Sequence, residues 1–280
     1  MLEKIFVFLF GSILGNFLNV CIYRMPLGQS IVKPRSFCPH CKKTILWYDN
    51  VPLLSYIFLG GLCRFCKQRI NIRYFIVELL TAAMFLLFYN RYGLSFTFLF
   101  YIIFICGLTV ATFVDIQHRI IPDEISFGGI IVGFLLAVVR NFISPVRFDF
   151  SHPIISIIYN PPPLLDSFLG ILLGGGIIYY TGKGFDLVWF KLLKKPPIQG
   201  ETESMGGGDV KLLAMIGAFL GWQKALVTFF LAPFFGVVIG IFNLLLKKDH
   251  TIPYGPFLSL AALFALFWAD KIFHFLFFVR

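Results

Sequence analysis

The chain has 280 residues, of which 58% are hydrophobic and only 14% are charged. Soluble globular domains carry about 25% charged residues, so this composition excludes an ordinary soluble protein. The net charge of +10 would suit nucleic-acid binding, but the positive-inside rule of membrane proteins explains such an excess better. We therefore expect the lipid bilayer as a partner, and no nucleic acid.

Eight apolar segments predict membrane-spanning helices, so the chain is expected to be an all-α polytopic membrane protein with about eight transmembrane helices. Eight spans place both termini on the same side of the membrane. Because most basic residues then share the side of the polar segment 23–71, loop charge assigns that side to the cytoplasm. The predicted helices are 4–22, 72–90, 95–114, 124–142, 164–182, 209–221, 224–246 and 257–277.

The predicted organisation has three parts. Residues 1–22 form a first transmembrane helix, residues 23–71 a small cytoplasmic zinc-binding domain, and residues 72–280 a seven-helix membrane domain. The first apolar run is interpreted as a retained helix and not as a signal peptide, because no A-x-A-like exit follows it. The middle part has about 50 residues, too few to be held together by a hydrophobic core alone.

Four of the six cysteines form two CxxC pairs within the polar segment. The first pair is Cys38 and Cys41, and the second pair, 21 residues further on, is Cys63 and Cys66. Four thiolates with this spacing are typical of a structural zinc site with tetrahedral coordination. Two disulfides or a redox CxxC are the alternatives; the cytoplasm is reducing, and no βαβ unit surrounds the motifs.

Two aspartates lie at the ends of predicted helices. Asp115 ends the third helix and Asp209 begins the sixth, and the predicted topology places both at the cytoplasmic membrane face. A helix N-terminus favours a carboxylate and a C-terminus disfavours one, so Asp209 has a structural explanation as an N-cap and Asp115 has none. Two facing carboxyl groups that share a proton can activate a water molecule and protonate a leaving amide nitrogen. The pair therefore predicts hydrolysis of an amide.

Three glycines precede the second aspartate in the sequence GGGDVK. The missing side chains would let an extended substrate backbone approach Asp209, and a flexible hinge is a compatible explanation. The sixth predicted helix has about twelve residues and a length of about 18 Å, less than the ~30 Å hydrocarbon layer. We therefore expect Asp209 at the floor of a water-accessible pocket. We assign Gly206, Gly207 and Gly208, together with Lys211, to substrate binding.

One further carboxylate, Glu78, lies inside the second predicted helix. Its simplest explanation is a structural partnership with an interior arginine or with a backbone group. Ionisable residues inside membrane helices are costly, so a functional role is the default alternative.

These motifs together resemble the bacterial type IV prepilin peptidases, also called leader peptidases/N-methyltransferases, which are GxGD-type intramembrane aspartic proteases. The resemblance rests on an ordered set of motifs that covers nearly the whole chain. The set comprises GNFLNVCIYRMP at 15–26, the two CxxC pairs with NVPLLSY at 50–56 between them, RYFIVE at 73–78, Asp115 followed by IPD at 121–123, GGGDVK at 206–211 and PYGPF at 253–257.

The resemblance implies a membrane aspartic endopeptidase with Asp115 and Asp209 as its catalytic pair. Such enzymes act in the bacterial cytoplasmic (inner) membrane and cleave the leader of prepilins or pseudopilins at its cytoplasmic face. Many then methylate the new N-terminus with S-adenosylmethionine, although no residue motif here locates a site for that methyl donor. The chain departs from the commonest pattern through extra residues near 141–165 and 191–204.

Two other classes of function are weighed against the protease. A cation-coupled membrane transporter could use Asp115, Asp209 and Glu78 to bind ions, but transporter sites usually lie near the bilayer midplane between repeats. The aspartates are predicted near one membrane face, and no repeat is evident. A membrane scaffold that recruits a partner through its zinc domain would leave the aspartate pair and the GGGD sequence unexplained.

Overall fold

The computed structural model describes residues 1–143, 161–193, 205–245 and 253–278. Within these ranges the chain is helical, with two isolated β-bridges and no strand, which confirms the predicted all-α class. The helices are α1 (Leu2–Arg24), α2 (Leu54–Phe58), α3 (Arg73–Tyr92), α4 (Phe96–His118), α5 (Asp123–Ile143), α6 (Pro163–Asp186, continued as a π-helix over Leu187–Leu192), α7 (Gly207–Leu220), α8 (Trp222–Leu245) and α9 (Gly255–Phe278).

Six of these helices are long and apolar enough to cross a membrane, namely α1, α3, α4, α5, α6 and α8. Helix α7 has only 14 residues, and the apolar stretch that the structure describes in α9 covers Gly255–Ala269. The chain is therefore a polytopic membrane protein, as predicted. The predicted number of about eight spans is approximate because of these two shorter segments.

The chain divides into two compact units, Met1–Val114 and Asp115–Arg280. The boundary falls inside α4, immediately before Asp115. The three-part organisation with boundaries at residues 22 and 71 stays a prediction. The extra residues near 141–165 and 191–204 lie largely outside the described residues.

Glycines let α1 and α3 pack closely in the first unit. A Cβ atom on Gly11 would lie 2.9 Å from Cα of Ala82, and one on Gly15 would lie 2.7 Å from Cα of Glu78. Real Cβ atoms essentially never come so close, so a larger residue at either position would push the helices apart. Small residues at helix contacts are characteristic of membrane helix packing. This register brings the backbone of Glu78 against α1.

Helix α7 is the buried centre of the second unit. Residues 212–220 are all buried, and α7 packs against α5, α6 and α8. A Cβ atom on Gly217 would collide with the carbonyl oxygen of Gly170 in α6, and the Ser167 hydroxyl donates to the carbonyl oxygen of Ala218 at 2.8 Å. A helix of 14 residues rises only about 21 Å. Surrounding protein removes the need for this helix to cross the lipid by itself.

Candidate active site and metal centre

Asp115 lies in the last turns of α4 and is only 6% exposed. Its Oδ2 atom accepts a hydrogen bond of 2.8 Å from the backbone N–H of Gly255. Gly255 is the first residue of α9, and the first N–H groups of a helix have no partner within that helix. The sequence offers no structural explanation for Asp115. The structure supplies a hydrogen-bond donor from a distant part of the chain.

Asp209 is half-buried in the first turn of α7. Gly206 occupies the N-cap position of this helix, and the backbone N–H of Asp209 donates to the carbonyl oxygen of Gly206 at 3.1 Å. The explanation of Asp209 as an N-cap residue is therefore wrong, because a glycine takes that position. The helix N-terminus still favours a negative charge at Asp209.

The structure brings Asp115 and Asp209 close enough for their charges to interact. The segments that carry them also touch. A Cβ atom on Gly208, which precedes Asp209, would lie 3.2 Å from Cβ of Ile121, in the short link that follows Asp115. Two carboxyl groups that are far apart in sequence thus lie at one place within the second unit.

Tyr254 precedes the glycine that contacts Asp115 and lies close enough to Asp209 to sense its charge. Burial, and secondarily the negative charge of Asp209, raise the pKa of the Tyr254 phenol to about 12. The phenol is therefore a neutral hydrogen-bond donor at neutral pH. The sequence motif PYGPF contains both residues but assigns them no role. The sequence feature that could have indicated this segment is its pair of prolines. Pro253 lies two residues before Gly255 and Pro256 directly follows it, and both restrict the backbone.

Space beside Asp209 is left by the glycines that precede it. Gly206 and Gly207 are exposed. Among the described residues, nothing lies within 4 Å of a Cβ atom on Gly207, and the only neighbour of one on Gly206 is Oδ2 of Asp209, at 3.3 Å. The backbone of Gly206 has φ −67° and ψ 136°, which any residue can adopt. Open space, and not an unusual backbone conformation, is what glycine provides at this position.

Lys211 forms an ion pair with Asp123, with 2.6 Å between Nζ and Oδ1. The two side chains are 42% and 67% exposed, and exposed pairs contribute only about 0–1 kcal/mol to stability. Asp123 is the first residue of α5 and was not singled out from the sequence beyond its place in the IPD motif. The contact joins the first turn of α7, which carries Asp209, to the start of α5.

The four predicted metal ligands are brought together in the first unit. The Sγ atoms of Cys38, Cys41, Cys63 and Cys66 all lie within 4.8 Å of one another, and those of Cys38 and Cys66 are 3.8 Å apart. Tetrahedral zinc with Zn–S bonds of about 2.3 Å requires sulfur atoms about 3.8 Å apart. The donor set therefore fits a zinc ion.

The two CxxC pairs have matching backbone geometry. The N–H of Lys42 donates to the carbonyl oxygen of Cys38 at 2.9 Å, and that of Lys67 donates to Cys63 at 3.0 Å. Lys42 and Lys67 both have a φ of 58°. Backbone hydrogen bonding, chiefly from Cys66, lowers the pKa of the Cys63 thiol to about 7. Two equivalent tight turns thus present their thiols to a common centre.

Glu78 belongs to the first unit and is 8% exposed. Its Oε2 atom accepts a hydrogen bond of 2.7 Å from the backbone N–H of Leu53, whose φ is 60°. This is the backbone partnership considered in the sequence analysis. It ties the loop that follows the first CxxC pair to the side of α3.

The fold and the site are those of a polytopic membrane enzyme with two neighbouring carboxyl groups inside its helical domain. The chain belongs to the type IV leader peptidase family, whose model matches residues 102–241. A second model, the bacterial peptidase A24 N-terminal domain, matches residues 9–92. Family membership makes the chain an enzyme and removes the scaffold alternative.

Similar proteins extend over nearly the whole chain. A prepilin leader peptidase/N-methyltransferase of Aeromonas hydrophila is 32% identical and covers 95% of this chain and 91% of its own length. A protein of the same name from Pseudomonas aeruginosa is 30% identical, with 94% and 90% covered. One from Myxococcus xanthus is 34% identical over 87% of this chain, which spans 64% of that relative's length. No solved structure gives a significant match.

Proposed function

We propose that this chain is a membrane aspartic endopeptidase that removes the leader of type IV prepilins or pseudopilins, and that it also methylates the new N-terminus. The approach of Asp115 to Asp209 within the second unit carries the proposal. The names of relatives that align with nearly the whole chain support prepilins as the substrate class.

The proposed chemistry follows from two carboxyl groups that share a proton. Two neighbouring carboxylates repel each other, so one stays protonated while the other is ionised. The ionised group takes a proton from a water molecule, and the water oxygen attacks the scissile carbonyl carbon. The protonated group then delivers its proton to the departing amide nitrogen, the C–N bond breaks, and the two carboxyl groups have exchanged roles.

A backbone donor holds Asp115 for this reaction, and a phenol lies near Asp209. The N–H of Gly255 engages Oδ2 of Asp115, which orients the carboxyl group and leaves its Oδ1 atom for the water. The neutral Tyr254 phenol is suited to donate a hydrogen bond near Asp209. Such preorganised donors stabilise charge that develops in a transition state.

Substrate binding is assigned to the exposed side of this pair. Gly206 and Gly207 leave room for an extended backbone, and Gly208 completes the glycine stretch. Lys211, two residues after Asp209, is partly exposed and adds a positive charge. A pilin precursor held in the bilayer by its hydrophobic helix would bring its leader junction to the depth of a membrane-face site. Loop charge supports the cytoplasmic face of the bacterial inner membrane for that site.

Asparagine variants test the protease directly. Asp115→Asn and Asp209→Asn, each co-expressed with a prepilin, are expected to abolish leader removal, as measured by the intact mass of the pilin. Glu124→Gln is the matched control, because Glu124 is an exposed acid at the start of α5. Cleavage at the wild-type rate by either aspartate variant would disprove the assignment.

Methylation is proposed from the N-methyltransferase part of the relatives' names. S-adenosylmethionine is the methyl donor that the family resemblance implies. The same mass measurement reports this second activity, because a methyl group adds to the mass of the cleaved pilin.

Zinc is proposed as a structural cofactor held by Cys38, Cys41, Cys63 and Cys66. The four thiolates fill a tetrahedral coordination sphere and leave no open position for a substrate. The ion would therefore stabilise the polar segment and take no part in hydrolysis. The transporter alternative gains no support from the comparisons, since both family models are named for peptidases.

A further inference from the structure

Two buried polar side chains between α1 and α3 are not used by the proposed protease chemistry. Asn19 is 1% exposed and Glu78 is 8% exposed. Both lie in helices that are long and apolar enough to cross a membrane. Polar side chains in such helices are costly and usually have a functional reason.

The amide of Asn19 is only half satisfied. Its Nδ2 atom donates to the carbonyl oxygen of Tyr74 at 2.9 Å, whereas its Oδ1 atom is buried and has no hydrogen-bond partner within the described ranges. A buried acceptor without a donor is unfavourable, and such groups are rare in native proteins. The oxygen is therefore placed to accept a hydrogen bond from a bound molecule.

The register of the two helices places Glu78 one turn along α3 from the residue that Asn19 contacts. Gly15, one turn before Asn19, lies against the backbone of Glu78, and Asn19 itself contacts Tyr74, one turn before Glu78. Side chains on a helix lean towards its N-terminus, so the Glu78 carboxyl group extends over the turn that contains Tyr74. The hydrogen bond from Leu53 to Oε2 of Glu78 occupies one of several acceptor positions of a carboxylate.

We propose that Glu78 and Asn19 form the amine subsite for methyl transfer, which receives the α-amino group of the cleaved pilin. The inference rests on the proposed methyltransferase activity. Both groups offer oxygen acceptors and the carboxyl group can carry a negative charge, so the complementary ligand has N–H donors and a positive charge that stabilises the carboxylate. An α-ammonium group meets this requirement, whereas a leader peptide bond does not.

The same pair supplies the step that methylation needs. A protonated amine has no lone pair, so the Glu78 carboxylate first takes one proton from the α-ammonium group. The Oδ1 atom of Asn19 accepts a hydrogen bond from the neutral amine and orients it. The nitrogen lone pair then attacks the methyl carbon of a sulfonium donor; the C–S bond breaks, its electrons stay on sulfur as a neutral thioether, and the product is a methylammonium ion.

Glu78→Gln separates this role from a structural one, because glutamine keeps an oxygen for the Leu53 N–H and loses the negative charge. In co-expression with a prepilin, we expect the variant to remove the leader at the wild-type rate and to yield a pilin without the added methyl group. Thr81→Val is the matched control. It removes a buried hydroxyl one turn away that donates to the carbonyl oxygen of Val77 in its own helix, and full methylation is expected. Methylation at the wild-type level by Glu78→Gln overturns the proposal.

A binding measurement tests the subsite without the methyl donor and without turnover. The full chain in detergent is titrated with a peptide of the mature pilin N-terminus, either with a free amine or N-acetylated. Wild type is expected to bind the free amine about tenfold more tightly or better, as loss of one buried charge pair predicts, and Glu78→Gln to bind both peptides equally. Equal binding by wild type overturns the subsite. A wild-type preference for the amine with no methylation of any pilin instead supports the subsite and refutes the proposed methyltransferase function.

Discussion

The backbone N–H of Gly255 donates a 2.8 Å hydrogen bond to Oδ2 of Asp115, and the adjoining Tyr254 senses the charge of Asp209. One short segment before and at the start of α9 therefore meets both carboxyl groups of the candidate site. Asp115 is therefore not held by its own helix alone. The geometry of the pair depends on a third part of the chain that carries no acidic residue at this point.

Gly255→Ala tests this dependence. A Cβ atom at this position would lie 2.7 Å from Oδ2 and 3.2 Å from Cγ of Asp115, so the carboxyl group has to move. We expect prepilin cleavage to fall about 10–100-fold, which corresponds to about 1.4–2.8 kcal/mol in the activation free energy. The measurement is the initial rate of leader removal in detergent.

Gly236→Ala is the matched control for that variant. Gly236 lies in α8, and its added Cβ atom would be 3.5 Å from the ring of Phe257 in α9, an ordinary van der Waals contact. It therefore adds a methyl group against the same helix, α9, without touching Asp115, and a wild-type rate is expected. Equal rates for both alanine variants would show that the Gly255 contact is not needed.

The free space at Gly207 gives a second prediction. No atom of the part of the chain that the structure describes lies within 4 Å of a Cβ atom there, so Gly207→Ala is expected to leave thermal stability within about 0.5 kcal/mol of wild type, as for an exposed site. If the substrate backbone passes over this position, the KM for a prepilin rises several-fold while kcat changes little. An unchanged KM would remove Gly207 from the substrate-binding surface.

The ion pair between Lys211 and Asp123 separates substrate binding from stability. Exposed pairs are worth about 0–1 kcal/mol, so Lys211→Met and Asp123→Asn should have nearly the same midpoint of thermal unfolding as wild type. If Lys211 binds substrate, only Lys211→Met raises the KM for prepilin cleavage. Matched losses in the two variants would instead indicate that the pair acts as a structural contact beside the site.

The sequence predicts those features of the fold and the site that depend on local spacing or on strong periodicity. The cysteine spacing foretold a cluster of four thiols, and the eight apolar segments correspond to α1 and α3–α9. The contact between Gly255 and Asp115 could not be predicted in this way. Its donor is a backbone N–H, which every residue except proline carries, so the residue type does not indicate it. The unpaired state of the Asn19 Oδ1 atom within the described ranges could not be predicted either, because it depends on the side-chain conformation of one amide at a helix contact.

Loss of one thiolate tests the metal centre. Cys66→Ser is expected to lower the zinc content, measured by atomic emission, from about one ion per chain to nearly none, because a structural site needs all four ligands. Trypsin should then cut the polar segment 23–71 faster. Cys21→Ala is the control, since Cys21 is buried in α1 and is not part of the cluster. Zinc retained by Cys66→Ser would exclude the four-cysteine site.

Close packing of the short helix α7 against α6 is expected to fix the position of Asp209. Gly217→Ala would place a Cβ atom against the carbonyl oxygen of Gly170, and such overpacking typically costs about 1–3 kcal/mol. Gly176→Ala in α6 is the control, because its nearest neighbour is a ring atom of Tyr180 at 4.0 Å. We expect a lower midpoint of thermal unfolding for Gly217→Ala alone, together with a lower rate of leader removal, because a shift of α7 also displaces Asp209. Normal stability and activity in Gly217→Ala would mean that close packing against α6 is not what positions this carboxyl group.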